Sequence, residues 1–325
     1  MPTRRTILTS LAGLAASAAL VRPSFALDWP TRPVMLMVPF AAGGNTDGLA
    51  RIAAQRLTEA FGQQFLVENR PGAGGALAAE AVLRAEPDGY TLFFSALPQI
   101  AIVPAMQRVK YDPVKDFMPV CNLASNPFVL LVHKDMPVKT IGEFIAHVKA
   151  QPGKIAYASA GAGSVGHLAM ALFLKMAGLD MIHVGYKGNA PALADVLAGH
   201  VPAMFSNLAD AIPHAQSGAI RILAVSGAKR ATQLPDVPTV AESGFPTYKA
   251  QTWNGILARR GTPKEIVDKM AGELGRAVKE PKFAERLASF GTDPLGDGPD
   301  VFADTIKSDI ALWAQAVEVA GVKQQ

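Results

Sequence analysis

The chain has 325 residues, of which half are hydrophobic and 18% charged. Such a composition buries a large core, which excludes an intrinsically disordered chain, and the length suits two domains or one large one. A lone cysteine, Cys121, excludes an intramolecular disulfide, and a formal net charge of only +4 offers nothing to nucleic acid.

The first 26 residues read as an export signal. Arg4 and Arg5 precede a small-residue apolar run from Ile7 to Val21, and Ser24-Phe25-Ala26 forms a cleavage site. TRRTIL is twin-arginine-like, although Thr9 stands where that motif often has Lys. The run is too short and too rich in Ala, Gly and Ser for the anchor reading to be preferred. Its removal takes Arg4, Arg5 and Arg22 away, so Lys+Arg falls from 31 to 28 against 27 acids, a net charge of about +1. With no cysteine at the cleavage site to carry a lipid, the mature chain is expected to be soluble, periplasmic and monomeric.

From Pro33 onward strands and helices alternate. Val34 to Val38 is a continuous apolar run closed by Pro39, hence a buried strand. Gly43 and Gly44 are expected to turn with positive φ, and Asn45, Thr46 and Asp47 start a helix running to Phe61. A strand, a glycine turn and a helix start aim unpaired N–H groups at one spot, where the helix dipole favours negative charge. Strand Phe65 to Glu68, helix Ala76 to Ala85, strand Tyr90 to Ser95 and a segment near Pro98 to Met106 follow; no strand is read between Met106 and Phe128. Repeated βαβ units predict a mostly parallel sheet with helices on both faces, its ligand at the carboxyl ends of the strands.

Phe128 to His133 is a second apolar strand, after which the pattern restarts. Helix Ile141 to Ala150 and strand Ile155 to Ala158 lead to a second glycine loop, SAGAGS (Ser159 to Ser164), and helix Val165 to Ala177. Strand Met181 to Val184, the turn Gly185 to Pro191, helix Ala192 to Ala198 and strand Val201 to Ser206 come next. No element is read between Asn207 and Leu234. Strand Gln251 to Leu257 precedes three amphipathic helices, Lys264 to Lys279, Lys282 to Ser289 and Val301 to Val319. Neither glycine loop contains Lys or Arg, which suits a carboxylate better than a polyphosphate. The expectation is two lobes, each offering one glycine loop to a small acid between them.

The same residues admit other chemistries. Gly161 to Gly166 is a formal G-x-G-x-x-G, which would make the chain an exported NAD(P)-dependent oxidoreductase; yet no acid ends the next strand, where Val184 to Lys187 stand. Ser164 and His167 lack the G-x-S-x-G setting of a nucleophile and read as a helix cap and its first turn. The six histidines show no metal-ligand spacing. Asp47 also fits a role in favouring its helix dipole, and Lys187 that of a solvated turn lysine. Neither enzyme nor cofactor is expected.

The stretches PFAAGGNTD (Pro39 to Asp47), VENRPGAGG (Val67 to Gly75), PDGYTL (Pro87 to Leu92), YDPVKDF (Tyr111 to Phe117), YASAGAGSVGHL (Tyr157 to Leu168) and LPDVPTVAESG (Leu234 to Gly244) resemble the substrate-binding proteins of tripartite tricarboxylate transporters, the Bug family. The resemblance runs from Trp29 to Val322. It implies an α/β, two-lobed periplasmic-binding-protein fold of type II-like form, with crossings near Phe128 and Trp253. The lobes would be residues 28–127 plus 254–325 and residues 128–253. It implies a receptor that captures a mono-, di- or tricarboxylate and delivers it to the membrane subunits of such a transporter, closing about a hinge.

By position the resemblance assigns ligand contact to Phe40, Gly43, Gly44 and Asp47 in the first loop. In the second it assigns Ser159, Gly161, Gly163, Ser164 and His167, and Ala41, Asn45 and Ala160 lie within these loops. Selectivity is expected from Ala96, Leu97 and Gln99, from Tyr186, Lys187, Gly188 and Asn189, and from Ser206, Asn207 and Asp210. Three departures from the family pattern stand out: Ala41 for a usual Pro, Ser206 for a common Asp, and Leu97-Pro98-Gln99 for small hydroxyl residues. The last two point away from cationic amino acids.

Overall fold

A computed structural model describes residues 28–322, so the expected export signal, residues 1–26, lies outside the described residues. The first strand, β1 (Val34–Val38), is almost wholly buried, as its unbroken apolar run requires. It pairs in parallel with β2 (Phe65–Asn69) on one side and β3 (Thr91–Ala96) on the other. Helices α1 (Asn45–Phe61) and α2 (Ala76–Arg84) make the crossovers. After β3 the chain forms a wide turn at Pro98–Ile102 and a short helix α3 (Val103–Met106).

The rest of this sheet departs from the expected parallel order. β4 (Phe117–Asn126), β10 (Thr252–Arg259) and β11 (Asp293–Asp297) extend it antiparallel, in the order β11-β4-β10-β3-β1-β2. The sheet is therefore mixed. The cause is topological: β10 returns from the other sheet and enters beside β3 from the opposite end, where only an antiparallel register fits.

A second sheet repeats the plan, in the order β7-β6-β8-β5-β9. Its strands are β5 (Phe128–His133), β6 (Ala156–Ser159), β7 (Ile182–Gly185), β8 (Ala203–Asn207) and β9 (Ile220–Val225). β6 pairs in parallel with β7 and β8, while β5 is antiparallel to β8 and β9. Helices α4 (Ile141–Lys149), α5 (Val165–Ala177), α6 (Asn189–Leu197) and α7 (Leu208–Gln216) accompany these strands. The chain crosses between sheets at Pro127, between β4 and β5, and returns from β9 to β10.

Three helices complete the first lobe: α8 (Lys264–Ala277), α9 (Pro281–Ala288) and α10 (Pro299–Val319). The last packs on β4 and also on α5 of the second sheet, strapping the two halves together. It is pinned by Trp253, whose Nε1–H donates to buried Asp309 Oδ2 at 2.9 Å and whose ring meets Phe302 edge-on at 4.8 Å. Such a pair combines apolar burial with a satisfied indole donor.

Candidate functional site

A cavity of about 660 Å³ opens between the two sheets. The first glycine turn forms one side of it. Gly43 takes φ +87°, as expected, but Gly44 is extended at φ −81° and stands before the first residue of α1. No side chain caps that helix start, which leaves the N–H groups of its first turn without a capping partner beside the cavity that Gly44, Asn45 and Thr46 line. Phe40, Ala41 and Ala42 continue this wall.

Asp47 does not face the cavity; it holds the turn. Its Oδ2 accepts from Gly43 N–H (2.9 Å) and Arg51 Nε–H (3.0 Å), and its Oδ1 from Asn69 Nδ2–H (2.9 Å). Burial works to raise its pKa, but these donors, Arg51 foremost, hold the carboxyl below the usual carboxylate range. Gly43, whose N–H is spent on Asp47, is likewise structural. Both were expected at the ligand; here neither lines the cavity, and they are bonded to each other within the turn.

The second loop repeats this device with a neutral acceptor. Gly163 N–H donates to His167 Nδ1 at 3.1 Å, and Ser164 Oγ caps α5 by accepting from His167 N–H at 3.4 Å. His167 stacks on His183 with ring centroids 3.8 Å apart, and Tyr157 lies beside both. Burial, then the neighbouring His183, pushes His167 down to about 4. Ser159, buried, is held by His183 Nε2 at 2.7 Å and accepts from Gly161 N–H at 3.1 Å. Gly163, at φ +76°, packs against Met106 of α3. Of this loop and its helix start, Val165 reaches the cavity wall; Ser159, Ala160, Gly161, Gly163, Ser164 and His167 do not.

The expected selectivity residues divide. Ala96 lines the cavity, but Leu97 is in the core and Gln99 is buried behind it. Gln99 Oε1 accepts from Ala96 N–H (3.3 Å) and its Nε2–H donates to Gly74 O (3.0 Å), which spends the amide on the neighbouring turn. Tyr186 donates to Asp195 at 2.6 Å, a bond that pushes its pKa up to about 12. Lys187 is exposed and off the cavity wall, and Gly188 N–H bonds Ala160 O at 3.1 Å. Asn189, Ser206, Asn207 and Asp210 are brought together: Asn189 Nδ2–H donates to Asp210 Oδ2 (2.6 Å) and Ser206 Oγ (3.1 Å), and Asn207 Nδ2–H reaches Asp210 at 3.4 Å. Asn207 and Asp210 line the cavity.

Sequence reasoning missed the cavity floor. Asn126 Nδ2–H donates to Asn254 Oδ1 (2.7 Å), and Asn254 Nδ2–H donates to Thr46 Oγ1 (3.0 Å), all three being buried. This chain links both strands at the sheet crossings to the uncapped end of α1. Thr252, Phe128, Pro98 and Ala209 also line the cavity. The signal for the floor was Asn254 inside the apolar stretch of β10, since a buried amide demands partners; Asn126, at the end of the polar-studded β4, gave none.

With this geometry in view, the sequence model described as "Tripartite tricarboxylate transporter family receptor" matches residues 49–321. The chain belongs to that family. Among relatives of this receptor, the protein BugT of Bordetella pertussis is 34% identical over 310 residues, covering 95% of each chain. Among solved structures, an R. palustris protein with adipate is 37% identical at TM-score 0.76, covering 90% of this chain and 98% of its own. MatC of Rhodopseudomonas palustris with bound malate is 34% identical at TM-score 0.71, covering 89% and 100%. The receptor thus shares the two-lobed α/β architecture of periplasmic binding proteins.

Proposed function

We propose that this chain is an exported periplasmic receptor that captures a small organic carboxylate in the cleft and delivers it to the membrane subunits of a tripartite tricarboxylate transporter. The observation that carries the reading is the uncapped start of α1 at Gly44–Thr46, opening onto a cavity between two lobes. An anion seat of backbone N–H groups suits a carboxylate. The adipate and malate in the two structural neighbours support the same ligand class.

Residues 28–127 plus 254–325 form the first lobe in this reading and 128–253 the second, with the hinge at the two crossings. The start of α5 closes on the acid from the far side, beside Ser164 and Val165. Closure draws its energy from contacts that the open form lacks. The test is a panel of mono-, di- and tricarboxylates in calorimetry and thermal unfolding, with small-angle scattering for compaction. A true ligand at 100 times its Kd stabilises the fold by about 2.7 kcal/mol. A panel in which no acid binds refutes the receptor reading.

A further inference from the structure

The cavity's charge is its least expected property. Of the 16 residues that line it, Asp210 alone is charged. Among the described residues no cation lies within ion-pair distance of Asp210; its partners are the amides of Asn189 and Asn207, both on Oδ2. Its other oxygen, Oδ1, accepts no hydrogen bond from the described residues and keeps its lone pairs for water or for a donor on a ligand. The start of α1 therefore offers a seat for an anion; the start of α7 also lines the cavity without a side-chain cap, but its first turn already holds a negative charge, Asp210.

A dicarboxylate seated by one end would bring its second carboxylate into a cavity whose only charge has the same sign. Asp210 is solvent-exposed, so water screens that repulsion in part, and no Arg or Lys on the wall offsets what remains. A ligand whose far end is apolar, or carries an O–H or N–H donor, meets no such penalty, and a donor gains a bond to Oδ1.

Resting on the receptor reading above, we infer that Asp210 makes this site selective for monocarboxylates, preferring those with a hydrogen-bond donor at the far end over dicarboxylates of equal length. Asp210 is a specificity residue that works through charge. Asn at this position is nearly isosteric and retains an oxygen to accept from Asn189.

The experiment compares acids matched in length and differing at one end: hexanoate, 6-hydroxyhexanoate, 6-aminohexanoate and adipate, then butyrate against succinate and benzoate against terephthalate. Titration calorimetry is run on the parent and on Asp210→Asn, with melting curves to verify that the variant is folded. The parent should bind the monocarboxylate of each pair about ten-fold more tightly than its dicarboxylate. In Asp210→Asn the gap should close to about three-fold or less, mainly through tighter binding of the dicarboxylate. Parent protein that binds adipate, succinate or terephthalate at least as tightly as its partner overturns the inference and leaves the receptor reading intact. A gap that persists in Asp210→Asn also overturns it, because the discrimination then lies elsewhere. If no acid binds either protein, the receptor reading falls and the inference with it.

Discussion

Acidification should weaken the second lobe through His167. Its ring is buried against His183, and its pKa drops from 6.5 to about 4. The unfolded chain binds that proton first as pH falls, so the stabilisation is complete above about 6.5 and is lost as pH drops towards about 4. A gap of about 2.5 units corresponds to about 3 kcal/mol over the whole window. Burial lowers His183 as well, in the same sense. Protonation also removes the acceptor that holds Gly163 N–H, so the second glycine loop loses its tie to α5. Asp47 and Glu273, held low by their donors, lose their contribution only below the ordinary carboxylate range. Asp297 and Asp309, raised by burial, act in the opposite sense. Urea unfolding between about pH 7.5 and 4.5, on the parent and on His167→Gln, separates these terms, because the carboxylates are common to both proteins. The parent should lose most of the 3 kcal/mol and the variant much less. A flat parent profile, or an equal slope in His167→Gln, refutes the assignment.

Two further substitutions, Asn254→Leu and Gly166→Ala, probe the frame of the site, with Gly142→Ala as the control for the second. Asn254→Leu fills the same space but strands the Asn126 amide and removes the Thr46 bond, so stability should fall by about 2–3 kcal/mol. Carboxylate affinity should fall with it, since Thr46 belongs to the anion seat; a variant within about 0.5 kcal/mol of the parent in urea, with unchanged affinity, would show that the floor is not coupled to the seat. Gly166→Ala places a methyl group on the Phe205 carbonyl oxygen and should cost about 1–3 kcal/mol by thermal unfolding. Gly142→Ala, where the nearest atom is Thr140 Oγ1 at 3.9 Å, should be neutral or slightly stabilising. Equal melting points for these two variants would remove the close approach of α5 to β8 as the reason for Gly166.

The elements read correctly to the residue, β1, β5 and α5, share a cause. Each is an apolar run or period closed by its own punctuation, Pro39 after β1 and Gly178 after α5 among them. Three of the four elements missed lack that local closure; the fourth, β9, is an apolar run between Gly218 and Gly227 that the sequence did offer. β4 carries Pro119, Asn122, Ser125 and Asn126, polar or strand-breaking positions that only its place between β10 and β11 makes tolerable. α7 contains Pro213, and β11 is five residues holding Pro294 and Gly296. Periodicity reports how an element meets the core, whereas the site depends on which side chains meet one another. Asn254 finds Asn126 at a separation of 128 positions and Thr46 at 208. The glycine loops were legible because a turn, a cap and a dipole are local. Their orientation was not, because Met106 against Gly163 and Asp47 beneath Gly43 decide which N–H groups remain for a ligand. The two loops thus look alike in sequence and differ in chemistry: one is held by a carboxylate that stays charged, the other by a histidine that must stay neutral. Acid should therefore release the second loop while the first still stands, an asymmetry that the shared glycine pattern does not reveal.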